Sequence, residues 1–332
     1  MSVPRHVFDQ TVAALFAPVG PFLEGDDVSE IMINGHDEIY VERGGRLYLT
    51  GSEFASEHAL MSALRNLSQF VGRELNPRHP ILEARLPDGS RVEAIIPPVA
   101  SSGPVVCIRR FRRKQLTLNR LVELGAMTRD TACLLRTALT RRDNVVVAGG
   151  SGSGKTSLLN ALASLAPGDD RVVVIEDSQE LQLRLPHVVQ LEAQPADDQG
   201  RGGVTIRELL RATLRMRPDR IVIGEIRGGE ALDLIQAMTS GHRGCLSTVH
   251  ATLPFDTLSR LETMALMSDV AVPLSVLRGQ VASAVDTIVQ ISRCSDGSRC
   301  VTHVTEVLGY DRESGYRVRH LFERPLESGR RE

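Results

Sequence analysis

Residues 144–166 read NVVVAGGSGSGKTSLLNALASLA, and no other stretch limits the fold so tightly. Four apolar residues, Val145 to Ala148, run directly into six that are only Gly or Ser, then Lys155, Thr156 and an amphipathic run. A strand that is apolar throughout needs cover on both faces, which a largely parallel sheet between helical layers provides. In the loop that follows, successive backbone N–H groups converge on one point, and the dipole of the next helix adds partial positive charge there. A phosphate is the natural occupant. Gly149, Gly150, Ser151, Gly152, Ser153, Gly154, Lys155 and Thr156 fit G-x-x-x-x-G-K-[ST], with the strand before and the helix after that the pattern requires; Ser157 extends the candidate cradle into the helix.

Composition sharpens the reading of Lys155. Only two of the 39 Lys and Arg residues are lysines, Lys114 and Lys155. A chain that otherwise uses Arg keeps an ammonium where a compact charge on a flexible stem must reach the β and γ phosphates. Thr156 then offers its hydroxyl to Mg²⁺, so ATP and Mg²⁺ are the expected ligands.

The same composition excludes several function classes. A net charge of −2, 4% aromatics and no Trp leave no basic, aromatic-lined groove for nucleic acid, so no direct nucleic-acid partner is expected. No apolar run approaches the roughly 18 residues of a membrane span, and MSVPRHVFDQ lacks a signal-peptide core. A cytoplasmic protein is expected. Five cysteines without a C-x-x-C pair read as reduced thiols. Around Cys294 and Cys300, RCSDGSRCVTHV reads as a hairpin turning at Asp296-Gly297, with a metal site using His303 the less favoured alternative.

Two regions differ in character. Residues 1–112 mix a helix (FDQTVAALFAPV), a strand pair turning at ERGG, a second helix (SEHALMSALRNLSQFVG) and two further strand signals, LEARLPDGSRVEAIIPP and PVVCIRRF. That is an α+β domain. RRFRRKQLTLN reads as a charged connector. Residues 113–332 alternate helices with the apolar strands NVVVAGG, RVVVIED, HVVQLEAQ, RIVIGEI and CLSTVHA, an α/β pattern. VTIRELLRATLRMRPD carries a capping box, Thr205 with Glu208, and sets Arg207, Arg211 and Arg215 on one face, which is most simply a solvated stripe.

Phosphoryl transfer also needs groups that hold the metal and orient water. Glu225 ends one apolar strand, and Glu176 with Asp177 ends another, where ligands bind in open α/β sheets. At this point the motifs resemble, in order and spacing, those of the secretion and pilus traffic ATPases of type II and type IV systems. GGSGSGKTS matches Walker A, VVVIEDSQELQL the Asp box, LRMRPDRIVIGEIRGGEALDLIQAMTSGH Walker B, and LSTVHATLPFDTLSRLETM the His box. Upstream, VSEIMINGHDEIYVERGGRL, ARLPDGSRVEAIIPP and IRRF are similar to the CpaF/TadA branch that powers Tad (Flp) pilus assembly. The short stretch ahead of EIMINGHDEIYVE is closer to the type IV secretion and conjugation ATPases, the alternative setting.

The resemblance implies an RecA-like P-loop ATPase domain, with a smaller N-terminal α+β domain, working as a homo-hexamer. It implies that Glu225 positions or activates water and helps hold Mg²⁺, that Glu176 and Asp177 are the Asp box acids, and that His250 senses the γ phosphate. It also places N-terminal arginines across the nucleotide, matching Arg91 with Arg109 or Arg110; Arg211 and Arg217 are weaker candidates. His242 reads equally well as a cation at a helix end. The implied partner is an inner-membrane platform protein, which the ATPase meets from the cytoplasmic face. A ring-shaped RecA-like DNA motor is the rival.

Overall fold

The computed structural model describes residues 5–25, 27–111, 116–196, 201–294 and 296–324. By contacts the chain divides into two compact units, Met1–Lys114 and Gln115–Glu332. The expected domain junction and the middle of the charged connector fall at residues 112–115, outside the described residues.

The first unit opens with α1 (Arg5–Leu15) and α2 (Gly20–Glu24), then β1 (Val28–Asn34), β2 (Ile39–Arg43), β3 (Arg46–Leu49), α3 (Glu57–Phe70), β4 (Ile81–Arg85), β5 (Arg91–Ile95) and β6 (Val105–Arg109). The six strands form one antiparallel sheet in the order β3-β2-β1-β6-β5-β4. One face is apolar: Ile31, Ile33, Ile39, Val41, Leu82, Val92, Val106 and Ile108 pack with Leu60, Leu64 and Leu67 of α3. Helix α3 starts where Ser56 accepts a hydrogen bond from the Ala59 N–H. Two segments hold more strands than their sequences led us to expect. EIMINGHDEIYVERGGRLYLT gives three strands, because Gly35, with φ 82°, turns the chain once before ERGG turns it again. LEARLPDGSRVEAIIPP gives two, because Asp88 caps the Ser90 N–H at 2.9 Å and Gly89 takes φ 93°.

The second unit continues with α4 (Leu118–Glu123), α5 (Arg129–Thr140), β7 (Val145–Ala148), α6 (Lys155–Ala163), β8 (Val172–Glu176), β9 (Val188–Glu192), α7 (Ile206–Thr213) and β10 (Arg220–Ile223). It closes with α8 (Glu230–Thr239), β11 (Leu246–Val249), α9 (Pro254–Leu266), α10 (Leu274–Ala284), β12 (Thr287–Arg293), β13 (Arg299–Asp311) and β14 (Gly315–Glu323). The sheet order is β14-β13-β12-β7-β11-β10-β8-β9. Strands β12 through β9 in that order are parallel, and β13 and β14 extend the sheet as antiparallel hairpins.

Both faces of the parallel block are covered, as the apolar strands require. Val146, Ala148, Val173, Ile175, Ile221 and Ile223 face the layer containing α7 to α10. Val145, Val147, Val172, Val174 and Val222 face α4 to α6. The alternation follows the two-residue period of a strand. Asn144 fixes the register at the start of β7: its side-chain oxygen accepts from the N–H groups of Gly244 and Cys245, and its amide donates to Ala284 O at 2.8 Å. The capping box of α7 forms as read, with Thr205 and Glu208 exchanging hydrogen bonds.

Candidate functional site

Four strands that lie side by side, β7, β11, β10 and β8, end at one edge of the sheet, and each delivers a functional group there. From β7 comes the glycine loop. Gly152 and Gly154 take φ 66° and 97°, a region that L side chains avoid. Gly149 is fixed by space: a Cβ there would stand 2.4 Å from Ile291 O and 2.5 Å from Ser153 Oγ. Helix α6 begins directly at Lys155, and no side chain caps its N-terminus. Thr156 is half-buried and Ser157 exposed on its first turn. Left-handed glycines and an uncapped helix start together fit a polyphosphate.

Lys155 lies at the centre of the edge. Its side chain is only 8% exposed, and Nζ donates to Gly150 O at 3.0 Å while standing 3.9 Å from Glu225 Oε1. Ser153 Oγ donates to the same carbonyl at 2.9 Å.

Glu225 arrives two residues beyond β10. The Ile226 N–H donates to Thr248 O at 3.0 Å and Thr248 Oγ1 donates to Gly224 O at 2.7 Å, tying this segment to β11. Glu225 Oε1 lies 2.8 Å from His250 Nε2, and its Oε2 is held by the Arg227 guanidinium. Burial, with Lys155 next, pushes the His250 imidazole below its ordinary value despite the opposing pull of Glu225. The same Nε2 lies 3.3 Å from Lys155 Nζ, so the ring meets a carboxylate and an ammonium at once.

Arg227 also reaches across to β8, where its Nη1 meets Asp177 Oδ2 at 2.7 Å. It joins the two carboxylates of neighbouring strand ends, a function that the motif GEIRGG did not disclose beyond a cation two places after the acid. Glu176 behaves differently from Asp177. It is 3% exposed, and its Oε1 accepts from the N–H groups of Glu180 at 2.9 Å and Leu181 at 3.0 Å. Gly224 leaves room for it, since a Cβ there would lie 2.9 Å from Glu176 Cγ. Burial raises its pKa to about 7, outweighing the two amide hydrogen bonds that favour the charged form; the charges of Glu180 and Asp177 raise it further.

This arrangement gives Glu176 a testable signature. A carboxyl whose value in the fold exceeds that of the unfolded chain favours the fold at low pH, and stability falls as pH rises from about 4.5 towards about 7. Glu176→Gln keeps the acceptor for both amides and removes the buried charge. Its melting temperature is expected to exceed that of the wild type above pH 7 and to depend less on pH, whereas Glu176→Ala is destabilised at every pH. Identical pH dependence in wild type and Glu176→Gln would refute the shifted carboxyl.

The other candidate residues lie elsewhere. Arg211 and Arg207 both bind Asp233 of α8, at 2.7 and 2.6 Å, and Arg217 stands 3.5 Å from Asp219. His242 follows the end of α8, its N–H donating to Ala237 O, and so precedes β11, at the opposite end of that strand from His250. Asp296 and Gly297 do turn the β12–β13 hairpin: Asp296 accepts from the Ser298 N–H and Gly297 takes φ 85°.

In the first unit, Arg109 of β6 pairs across the sheet with Arg91 of β5, and Arg91 with Arg85 of β4. Directly paired residues share a face, so three guanidinium stems stand side by side on it. On the other flank Arg109 pairs with Glu30. Arg110 turns to different work, its Nη1 donating to the carbonyls of Gly25 and Val28.

A protein-family model described as type II/IV secretion system protein matches residues 13–322. The chain belongs to that family. A putative conjugal transfer protein of Mycobacterium tuberculosis is 34% identical over 290 residues, covering 86% of this chain and 82% of the relative. The conjugal transfer protein TrbB of Rhizobium radiobacter is 34% identical over 302 residues, covering 90% and 89%. Among solved structures, the ATPase DotB of Legionella pneumophila superposes with a TM-score of 0.61 over 85% of this chain and 77% of that one; at 18% identity this is a likeness of fold. The fold class is the expected one for the family, an RecA-like P-loop domain with a smaller N-terminal α+β domain. Among the described residues, no helix is long and apolar enough to cross a membrane.

Proposed function

We propose that this family member is an ATP-hydrolysing motor subunit of a secretion, conjugal-transfer or pilus machine. The observation that carries the reading is the meeting of Lys155, Glu225 and His250 at the strand edge beside the glycine loop, with Oε1 of Glu225 within 2.8 Å of His250 and 3.9 Å of Lys155. Lys155 and the loop amides hold the phosphates of ATP. Glu225 orients the attacking water and accepts its proton, and His250 reports the γ phosphate to β11. Thr156 and, through water, Glu225 are hard oxygen donors that suit Mg²⁺, which when bound neutralises charge on the phosphates. Arg91 and Arg109 complete the site of a homo-hexamer by serving the nucleotide of a neighbouring subunit.

The names of the relatives support conjugal transfer and type IV secretion at least as well as Tad pilus assembly, which rests on the segments upstream of Arg110. In either setting the motor acts at the cytoplasmic face of the inner membrane and grips a platform protein there. The purified chain should release phosphate from ATP when Mg²⁺ is present, with specific activity rising with subunit concentration. His250→Ala should retain hydrolysis and lose transport in the host cell. Absence of phosphate release at any concentration would sink the reading, and stimulation by single-stranded DNA would favour a DNA motor instead.

A further inference from the structure

The phosphate loop is bounded on one side by the β12–β13 hairpin, which the secretion-family motifs do not include. Ile291 of β12 presses on it from below: its carbonyl would be 2.4 Å from a Cβ on Gly149, and its Cδ1 3.5 Å from one on Gly154. Arg299, the first residue of β13, lies alongside. Its Nε donates to Gly152 O at 3.3 Å, and its Nη1 donates to Gly297 O at 3.0 Å in the hairpin's own turn. Its stem covers Gly154, with Cγ 3.6 Å and Cβ 3.8 Å from the position a Cβ there would take.

We propose that Arg299 is a positioning residue for nucleotide binding, fastening the apex of the phosphate loop to the tip of the hairpin. The physical step runs through one peptide unit. In a trans peptide the C=O and the following N–H point in opposite directions. Holding the Gly152 carbonyl towards Arg299 therefore turns the Ser153 N–H away from the hairpin, towards Gly150 O, to which it donates at 3.4 Å, so Arg299 fixes the turn that shapes the loop. Gly152 and Gly154 are left-handed and carry no side chains, and the internal hydrogen bonds from Ser153 and Lys155 converge on Gly150 O, so the Gly152 carbonyl has to draw its stiffness from elsewhere. One charged fork reaching two carbonyls supplies it from outside, and the turn that presents Arg299 is itself braced by Asp296, whose carboxylate accepts from the Ser298 N–H at 2.8 Å. Because Arg299 acts on the cradle and not on the water, it governs affinity and not turnover.

This inference rests on the reading that the loop binds ATP, and the test separates the two. Arg299→Met keeps the aliphatic stem over Gly154 and removes both donors. KM for ATP and the Kd of a fluorescent ATP analogue are expected to rise roughly tenfold, the scale of losing a hydrogen bond from a charged donor, with kcat within about twofold of wild type. Arg312→Ala, which removes a charge from the β13–β14 turn, should leave both constants unchanged. If the wild type does not bind ATP, the functional reading fails. If the wild type binds and Arg299→Met binds equally well, or loses kcat at unchanged KM, the assignment of Arg299 is overturned while the function stands. An equal rise in KM in Arg312→Ala, or failure of Arg299→Met to fold, overturns it as well, by making the effect one of bulk charge or of the fold.

Discussion

Lys155→Ala is expected to abolish ATP turnover through lost phosphate binding, while Glu225→Gln still binds ATP and turns over roughly 10²- to 10⁴-fold more slowly. The geometry separates the two roles. Lys155 starts helix α6, and its ammonium touches the Gly150 carbonyl of the loop itself. Removing it takes the ammonium from the cradle, and no other lysine lies among the described residues to replace it. Glu225 sits across the edge on a separate segment, pinned by Thr248, so the Gln variant leaves the loop untouched. What it loses is the carboxylate's capacity to take a proton. Binding of a fluorescent ATP analogue, measured beside steady-state hydrolysis, distinguishes the variants, and an equal loss of affinity in both would undo the division of roles.

Arg91→Ala and Arg109→Ala are each expected to lower kcat about 10³-fold with a smaller effect on ATP binding, the magnitude an arginine supplies when it meets charge developing on a transferring phosphoryl group. The motivation is the cross-strand row in which Arg109 pairs with Arg91 and Arg91 with Arg85. Planar guanidinium forks set side by side suit a polyphosphate, whose oxygens each fork can bridge in pairs. Arg110 is expected to differ from its neighbour. It donates to backbone carbonyls of Gly25 and Val28, so Arg110→Ala should lower the melting temperature and leave kcat per folded subunit near wild type. Mixing Lys155→Ala subunits with Arg91→Ala subunits tests action across an interface, because each then lends what the other lacks. Recovery of activity in the mixture is expected. Full activity in dilute, monomeric wild-type protein would rule out the shared site.

Much of this was legible in the sequence because the signals were local. VVVA, VVVI and RIVI carry their own demand for two-sided cover, and the positions they bury alternate between the two helical layers. The glycine loop announced its ligand chemistry through Lys155, Thr156 and the spacing of its glycines. What escaped depended on partners distant in the chain. The sharing of Arg227 between Glu225 and Asp177 is set by the adjacency of β10 and β8, which no local pattern specifies. Arg299 reaches Gly152 only because β12 lies next to β7 in the sheet. Two strands of the first unit were missed for a different reason: Gly35 and the Asp88-Gly89 pair are single tight turns inside stretches whose apolar pattern continues on both sides.

The hydrogen bonding of the segment after β8 has a consequence for how the edge of the site is anchored. The N–H groups of Glu180 and Leu181 are held by the Glu176 carboxyl, and that of Gln182 by the Asn160 side chain at 2.8 Å. Three consecutive amides thus borrow their acceptors from two side chains instead of a strand partner, between a site residue, Asp177, on one side and the edge strand β9 on the other. Leu181 is fully buried in the core between the sheet and its helices, so these bonds cannot be released without exposing it. The side chain that anchors the segment, Glu176, begins the same turn that presents Asp177 to Arg227, so the edge of the site and the approach to the outermost strand hang from one buried carboxyl.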